Sequence, residues 1–491
     1  MKTEAIIAID QGTTSSRTIL FTAKSGTIIY QAQQEFKQYY PNDGWVEHDP
    51  EDIWQTVYST LCQVIEYASS HQIVILGIGI TNQRETTLVW DKTTGKPIYN
   101  AIVWQDRRTA DFCQQLQHHQ DYVQKNTGLL LDPYFSSSKI HWILQNVDGA
   151  KDKANAGQLA FGTVDTFLIY RLTQGKQLVT DVTNASRTQL YNIVNQQWDA
   201  TMLDIYNTPK AMLPEVLDCA ADFGTAVIGN NKIPILGVAG DQQAATIGQC
   251  CFDAGSVKST YGTGCFLLIN SGNKIQYSKH QLLSTIAYRI KGQTTYALEG
   301  SIFVAGAAVQ WLRDSLQIID NAAETEQLCQ TLTSNHGVYL VPAFSGLGAP
   351  HWDANARAAI YGMTRGTNRA NLVRAAIESV CYQTYDLLQA VKTDGCQIQD
   401  LKVDGGMVAN NWMLSFLADI LNCPIQRPTI LETTALGVAS LAALQLGIFS
   451  NLADMKTNWQ LNKQFEPSLN GNERQTLISN WHRALQSTLN Y

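Results

Sequence analysis

Ile6-Ile7-Ala8-Ile9-Asp10-Gln11-Gly12-Thr13-Thr14-Ser15-Ser16-Arg17-Thr18-Ile19-Leu20-Phe21 sets two apolar runs around a short turn of glycine and hydroxyls. Ile6 to Ile9 reads as a buried strand that delivers Asp10 to its end, and Arg17 to Phe21 as the strand returning antiparallel. Such a turn aims backbone N–H groups and hydroxyls at phosphate oxygens, and Asp10 is placed to hold a hard cation such as Mg²⁺. Alone, the turn is equally well an ordinary hairpin in which Gly12 supplies an unusual φ. A second turn of the same kind, Tyr261-Gly262-Thr263-Gly264, lies just past the middle of the chain between Val257–Tyr261 and Phe266–Asn270. The pair points to a nucleotide held between two lobes.

The rest of the chain agrees with two lobes. Its 491 residues exceed what one core holds. A division at 1–250 and 251–491 is expected, with the linker near Gly248–Gly255. The first lobe opens with β runs at Ala5–Asp10, Arg17–Phe21 and Thr27–Gln33. Its first helix is well signalled: Asp49 caps, Pro50 takes the first position, Glu51 and Asp52 suit the positive end, and Ile53, Val57, Leu61, Val64 and Ala68 form the apolar stripe. Ile73 to Ile80 then reads as a central parallel strand, apolar on both faces, that empties into Thr81-Asn82-Gln83-Arg84-Glu85. The second lobe repeats the plan, with strands at Val257–Tyr261, Phe266–Asn270, Thr285–Arg289 and Thr294–Leu298 before its helices. This order implies an internal duplication. Leu401 to Gly406 ends in a diglycine against which a flat ligand can lie, and an amphipathic helix begins near Asn410.

Composition narrows the function. Hydrophobic residues make up 45% and charged residues 16%, and the net charge is −7 without a Lys/Arg cluster, which argues against sequence-independent nucleic-acid binding. Asp10 interrupts any secretory apolar run, so a cytoplasmic protein is expected. The apolar stretch Thr434–Phe449 is too short for a membrane span and reads as a buried helix. The ten cysteines form no CxxC pair and read as reduced thiols.

Leu236 to Gly240 is an apolar strand presenting Asp241 at a strand-to-helix junction. There Asp241 serves either as a helix cap or as the carboxylate that takes a proton from an attacking hydroxyl. Arg84-Glu85 is open between a surface ion pair and a grip on substrate hydroxyls. Trp104 and Tyr134 are open between core aromatics and a substrate wall, and Gly306 between helix packing and ligand contact.

Further motifs resolve these choices. They are Gly44-Trp45-Val46-Glu47-His48-Asp49-Pro50, Ile80 to Thr87, Asn100 to Gln105, Tyr134 to Asn146 with Lys139 and Trp142, Gly240 to Ala245, Tyr261 to Phe266, and Val403 to Gly406. With the first turn they resemble, over nearly the whole chain, the glycerol-specific branch of the FGGY-type carbohydrate kinases in the actin/Hsp70/sugar-kinase superfamily. The resemblance implies an α/β fold of two ribonuclease H-like domains, related by internal duplication, with a nucleotide and substrate cleft between them. It implies a cytoplasmic phosphotransferase that uses ATP and Mg²⁺ to make sn-glycerol 3-phosphate and forms a homodimer or homotetramer.

Residue by residue, the resemblance gives Asp241 the general-base role. Arg84, Glu85, Asp241 and Gln242 hold the acceptor's hydroxyls, with Trp104, Tyr134 and Phe266 along its carbon face. Thr13, Thr14, Ser15 and Arg17 meet the phosphates from one lobe and Thr263 from the other. Gly306, Gln310, Gly406 and Asn410 surround the adenosine, and the metal lies by Asp10 and Asp241. Two family controls lack their residues here. Gly229-Asn230-Asn231-Lys232-Ile233-Pro234 has no arginine for fructose 1,6-bisphosphate, and residues 216–240 contain no histidine for regulatory phosphorylation. A kinase with neither control is expected. Rival readings are a kinase for another polyol or ketose, and an actin- or Hsp70-like ATPase that phosphorylates no small molecule.

Overall fold

The computed structural model describes residues 2–344, 346–353 and 355–490. Its first sheet has six strands: β1 (Glu4–Gln11), β2 (Ser15–Thr22), β3 (Ile28–Glu35), β4 (Val74–Asn82), β5 (Thr225–Ile228) and β6 (Asn231–Gly240). They lie in the order β5-β6-β4-β1-β2-β3. β1, β2 and β3 form an antiparallel meander, whereas β4 pairs parallel with both β1 and β6. β4 runs past the expected Ile80 because its ladder continues, Thr81 beside Asp10 and Asn82 beside Gly240. Helix α1 (Pro50–Ser70) follows the meander; the Asp49 side chain accepts the Glu51 N–H, and Ile53, Val57, Leu61, Val64 and Ala68 are buried.

The second sheet has seven strands: β7 (Ser256–Tyr261), β8 (Cys265–Gly272), β9 (Leu283–Ile290), β10 (Gln293–Ile302), β11 (Asp400–Asp404), β12 (Ile425–Pro428) and β13 (Leu461–Phe465). Their order is β9-β10-β8-β7-β11-β12-β13. β7, β8 and β10 repeat the antiparallel meander of β1, β2 and β3, and β11 pairs parallel with β7 as β4 does with β1. β9 is an additional edge strand formed by a hairpin with β10.

Five further helices position the site: α2 (Ser136–Asn146), α3 (Val182–Ser186), α4 (Asp241–Gly248), α5 (Gly306–Asp314) and α6 (Arg369–Thr393). Two more complete it, α7 (Asn411–Leu421) and α8 (Thr433–Gln445). The buried helix expected over Thr434–Phe449 is α8, and it crosses back to the first sheet. A Cβ on Gly79 of β4 would stand 2.3 Å from the Val438 carbonyl oxygen, and one on Gly237 of β6 would stand 2.7 Å from it. α8 also meets α4 backbone to backbone: Cβ atoms on Gly437 and Gly248 would fall 1.9 Å from Ala244 O and 2.0 Å from Thr433 O. Glycine is what permits this approach. Consequently Ile6, Ile19 and Phe21 share one core with Leu268, Ile286 and Tyr296 of the second sheet and with Val438 and Leu441 of α8. Among the described residues no helix is long and apolar enough to cross a membrane, and all ten cysteines are free.

Candidate active site

The site begins where β1, β4 and β6 end side by side. In that register Asp10 lies beside Thr81, and Asn82 beside Gly240, so Asp10, the Gln83-Arg84-Glu85 segment and Asp241 emerge together. This is the edge at which open α/β sheets place ligands. Asp241 is the first residue of α4 and not its cap, which is Gly240. Its side chain keeps one third of its surface exposed and forms an ion pair with Arg84, Oδ1 lying 3.1 Å from Nε. A Cβ on Gly240 would come within 2.7 Å of the Arg84 stem, so glycine lets the arginine cross the strand end; the Gly240 N–H donates to Thr183 Oγ1 at 2.9 Å.

Arg84 and Glu85 are both buried, which excludes a surface ion pair. Nor do they principally pair with each other, since Arg84 Nε lies 3.9 Å from Glu85 Oε1. Arg84 instead makes a two-pronged contact with Glu299, Nη1 to Oε2 at 2.6 Å and Nη2 to Oε1 at 3.0 Å. Arg187, just after α3, donates from Nε to Glu85 Oε1 at 2.6 Å and from Nη2 to Glu299 Oε1 at 3.0 Å. Burial works against ionising Glu299, but Arg187 and Arg84 outweigh it and hold its carboxyl down at about 2. For Glu85 burial dominates and raises the carboxyl despite the same two arginines. Glu85 also takes a left-handed φ of 59°, a local strain typical of functional sites.

Trp104, Tyr134 and Phe266 come together as expected. The Trp104 ring meets Tyr134 edge-on at 5.7 Å and Phe266 at 6.1 Å. Trp104 Nε1 also donates to Thr13 Oγ1 at 3.1 Å, tying this wall to the first turn. The loop before α2 is fastened by Lys139, whose Nζ donates to the carbonyls of Pro133, Tyr134 and Phe135 at 2.5, 2.9 and 3.2 Å. Burial lowers the Lys139 ammonium to about 8.

The first turn is closed by a Gly12 N–H to Ser15 carbonyl bond of 2.9 Å and carries Thr13, Thr14 and Ser15. It is braced from behind, Gln38 Nε2 donating to Thr13 O at 3.0 Å and His48 bonding Gln38 Oε1 at 2.6 Å. Arg17 sits opposite Asp10 in the hairpin and pairs with Glu432, just before α8, and with Gln33 at 3.1 Å. Burial pushes the Asp10 carboxyl up to about 7; Arg17 opposes this while Glu432 and Asp241 add to it. Two neighbouring carboxylates suit Mg²⁺, which is commonly held by one or two carboxylates together with phosphate oxygens and water. Among the described residues no group of three or more His, Cys, Asp or Glu forms a fuller cage.

In the second turn Thr263 lends its carbonyl to the N–H groups of Ala305 and Ala307, both at 3.0 Å, so the turn rests on the start of α5. Gly306 must be glycine there because a Cβ would lie 2.6 Å from Gly262 O. Gln310 is exposed on α5, and Gly406 has open space where a Cβ would point. Asn410 caps α7 by accepting the Met413 N–H at 2.9 Å and donates to Thr325 at 3.1 Å. Gln242 is buried and accepts from Lys258 Nζ, which also donates to Thr260 Oγ1 at 2.8 Å. Burial lowers the Lys258 ammonium.

Sequence reasoning missed Glu299, Arg187, Lys258 and the His48–Gln38 brace. A signal existed for two of them: Glu299 follows Ala297-Leu298, and Lys258 interrupts Val257–Tyr261, each a charge inside a strand that is otherwise buried. A buried charge needs a partner.

Comparison with known proteins gives the family. Residues 5–248 match the N-terminal domain, and residues 257–446 the C-terminal domain, of the FGGY family of carbohydrate kinases. A glycerol kinase of Sinorhizobium fredii is 58% identical over 491 residues, covering 99% of both chains, and one of Alteromonas mediterranea is 56% identical over 486 residues, covering 98% of each. A Plasmodium falciparum glycerol kinase solved with ADP superposes with a TM-score of 0.93 at 38% identity, covering 99% of each chain.

Proposed function

Because this chain belongs to the FGGY family of carbohydrate kinases, we propose that it transfers the γ-phosphoryl group of ATP to glycerol, giving sn-glycerol 3-phosphate and ADP. The observation that carries the reading is the buried Arg84 guanidinium, 3.1 Å from Asp241 and joined through Glu299 to Arg187, which lies over the Tyr134 ring of the aromatic wall. Glycerol presents a hydroxyl on every carbon along one short apolar face. Arg84 donates to those hydroxyls, Glu85 and Asp241 accept from them, Gln242 completes the set, and Trp104, Tyr134 and Phe266 cover the C–H face. A competitor lacking one hydroxyl leaves a buried polar group unpaired, which favours the triol.

Asp241 takes the proton of the acceptor's terminal hydroxyl as that oxygen bonds to the γ-phosphorus and the bond to the bridging oxygen of ADP breaks. Thr13, Thr14, Ser15 and Arg17 from the first half, and Thr263 from the second, orient the phosphates and stabilise the charge that shifts during transfer. Gly306, Gln310, Gly406 and Asn410 surround the adenosine. Asp10 and Asp241 would hold Mg²⁺, which would offset phosphate charge when bound with the nucleotide. The reading keeps a division into 1–250 and 251–491, and a homodimer or homotetramer in the cytoplasm completes it.

The test is ADP release from MgATP with glycerol, dihydroxyacetone, xylulose, ribulose, erythritol and gluconate offered separately. A large response to glycerol, with glycerol 3-phosphate identified as product, is expected. Preference for a sugar reassigns Arg84, Glu85 and Trp104, and ADP release indifferent to every acceptor returns the protein to the ATPase reading. The missing arginine in Gly229–Pro234 adds a second expectation: fructose 1,6-bisphosphate leaves the activity unchanged. Strong inhibition by it would refute that reading of the loop.

A further inference from the structure

We infer that Glu299 is a positioning residue for the acceptor site, the group through which the second half of the chain fixes Arg84 and Arg187 of the first. The inference rests on the reading of that site as an acceptor pocket. Glu299 lies on β10 with no exposed surface, and both of its oxygens are occupied. Oε2 accepts Arg84 Nη1 at 2.6 Å, while Oε1 accepts Arg84 Nη2 and Arg187 Nη2, both at 3.0 Å. A two-pronged contact sets the plane of a guanidinium as well as its place. With both Nη groups engaged on one side, Arg84 presents Nε towards Asp241 at 3.1 Å.

The same carboxylate acts on Glu85 at one remove. Arg187 bridges Glu299 and Glu85, with Nε to Glu85 Oε1 at 2.6 Å. Arg84 and Glu85, the two charged neighbours assigned to the acceptor's hydroxyls, are therefore the ends of one chain of contacts whose middle is Glu299. The alternatives open to Arg84 show what Glu299 prevents. Its nearest other carboxylates are Asp241 and, at 3.9 Å, Glu85. Without Glu299 the guanidinium turns onto the groups that must face the acceptor, and Arg187 loses the acceptor of its Nη2 and keeps Glu85 as its carboxylate partner. Gln243 is a minor support, its Oε1 accepting Arg84 Nη1 at 3.2 Å as a neutral group.

Glu299→Gln keeps the shape and removes the charge, while Glu299→Asp keeps the charge and shortens the reach. Both variants and the wild type are assayed with glycerol and MgATP varied independently, alongside thermal melts. The expected result for Glu299→Gln is a KM for glycerol raised at least tenfold with the KM for MgATP within threefold of wild type. Glu299→Asp is expected to raise the glycerol KM at least threefold with the same indifference to MgATP, and it decides alone if the Gln variant does not fold. A glycerol KM within twofold of wild type in the folded variants, or both KM values rising in step, overturns the inference. If the wild type itself prefers another polyol, the glycerol reading fails and the Glu299 inference is judged by the KM of that polyol.

Discussion

Asp241 and His48 illustrate two ways a single side chain serves this site. Asp241 is held at the start of α4 with its carboxylate partly open, which the proposed base role requires. Asp241→Asn is expected to bind glycerol and ATP while turnover falls by about 10²–10⁴-fold, the usual contribution of a general base. Calorimetric binding beside steady-state kinetics reads both, and near-normal turnover removes Asp241 from the role. His48 acts from behind the first turn, bonding Gln38 at one ring nitrogen and lying 3.4 Å from the Gln83 amide at the other. Burial lowers its pKa from the ordinary 6.5 to about 4. In acid the unfolded chain takes up this proton before the folded chain does. The stability it contributes is therefore complete above about 6.5 and is lost as pH falls through about 4. Melting temperature should decline over that window, and Glu, Asp and other groups being common to both proteins, the decline should be shallower in His48→Gln. Identical pH profiles would assign the loss elsewhere.

At the scale of elements, the crossing of α4 and α8 is a tightly constrained contact. Gly248 and Gly437 let two helix backbones touch, and a Cβ on Gly437 would fall 1.9 Å from a carbonyl oxygen that belongs to the facing helix. Gly437→Ala is expected to cost at least about 3 kcal/mol, the upper end of ordinary overpacking, because backbone and not a flexible side chain must yield. Gly471→Ala, at a helix start with nothing within 4 Å of the new Cβ, is the control and should stay within about 0.5 kcal/mol of wild type. Urea denaturation of the two variants separates a packing constraint from a general intolerance of alanine.

Taken whole, the molecule has a core in each half and a further core that the two halves share. α8 comes from the second half yet covers β4 and β6 of the first, and the Arg17–Glu432 pair ties the first turn to the residue before α8. Residues 2–250 expressed alone would leave that face of the sheet bare, so this fragment is expected to aggregate or remain unfolded. Co-expression with residues 251–491 should restore a soluble complex. A monomeric, cooperatively melting 2–250 fragment by size exclusion and calorimetry would show that the first half needs no such cover.

The sequence alone determined the local grammar: both turns, the Asp49 cap and Pro50 start of α1, and the strand ends carrying Asp10 and Asp241. Each is encoded within about ten consecutive residues, where periodicity and cap chemistry act directly. Tertiary structure alone decided the partners. Arg84 was open between a surface ion pair and a grip on substrate hydroxyls, and nothing near it in sequence told that its main counter-ion stands 215 positions away on β10. Asp241 was legible as cap or base, and its register beside β4 made it the first helical residue with an open carboxylate. α8 was legible as buried, but a helix apolar on most sides does not say which sheet it covers; the glycines of β4, β6 and α4 said so once the chain had folded. Charges and backbone surfaces find partners by proximity in space, and only the folded chain supplies that proximity.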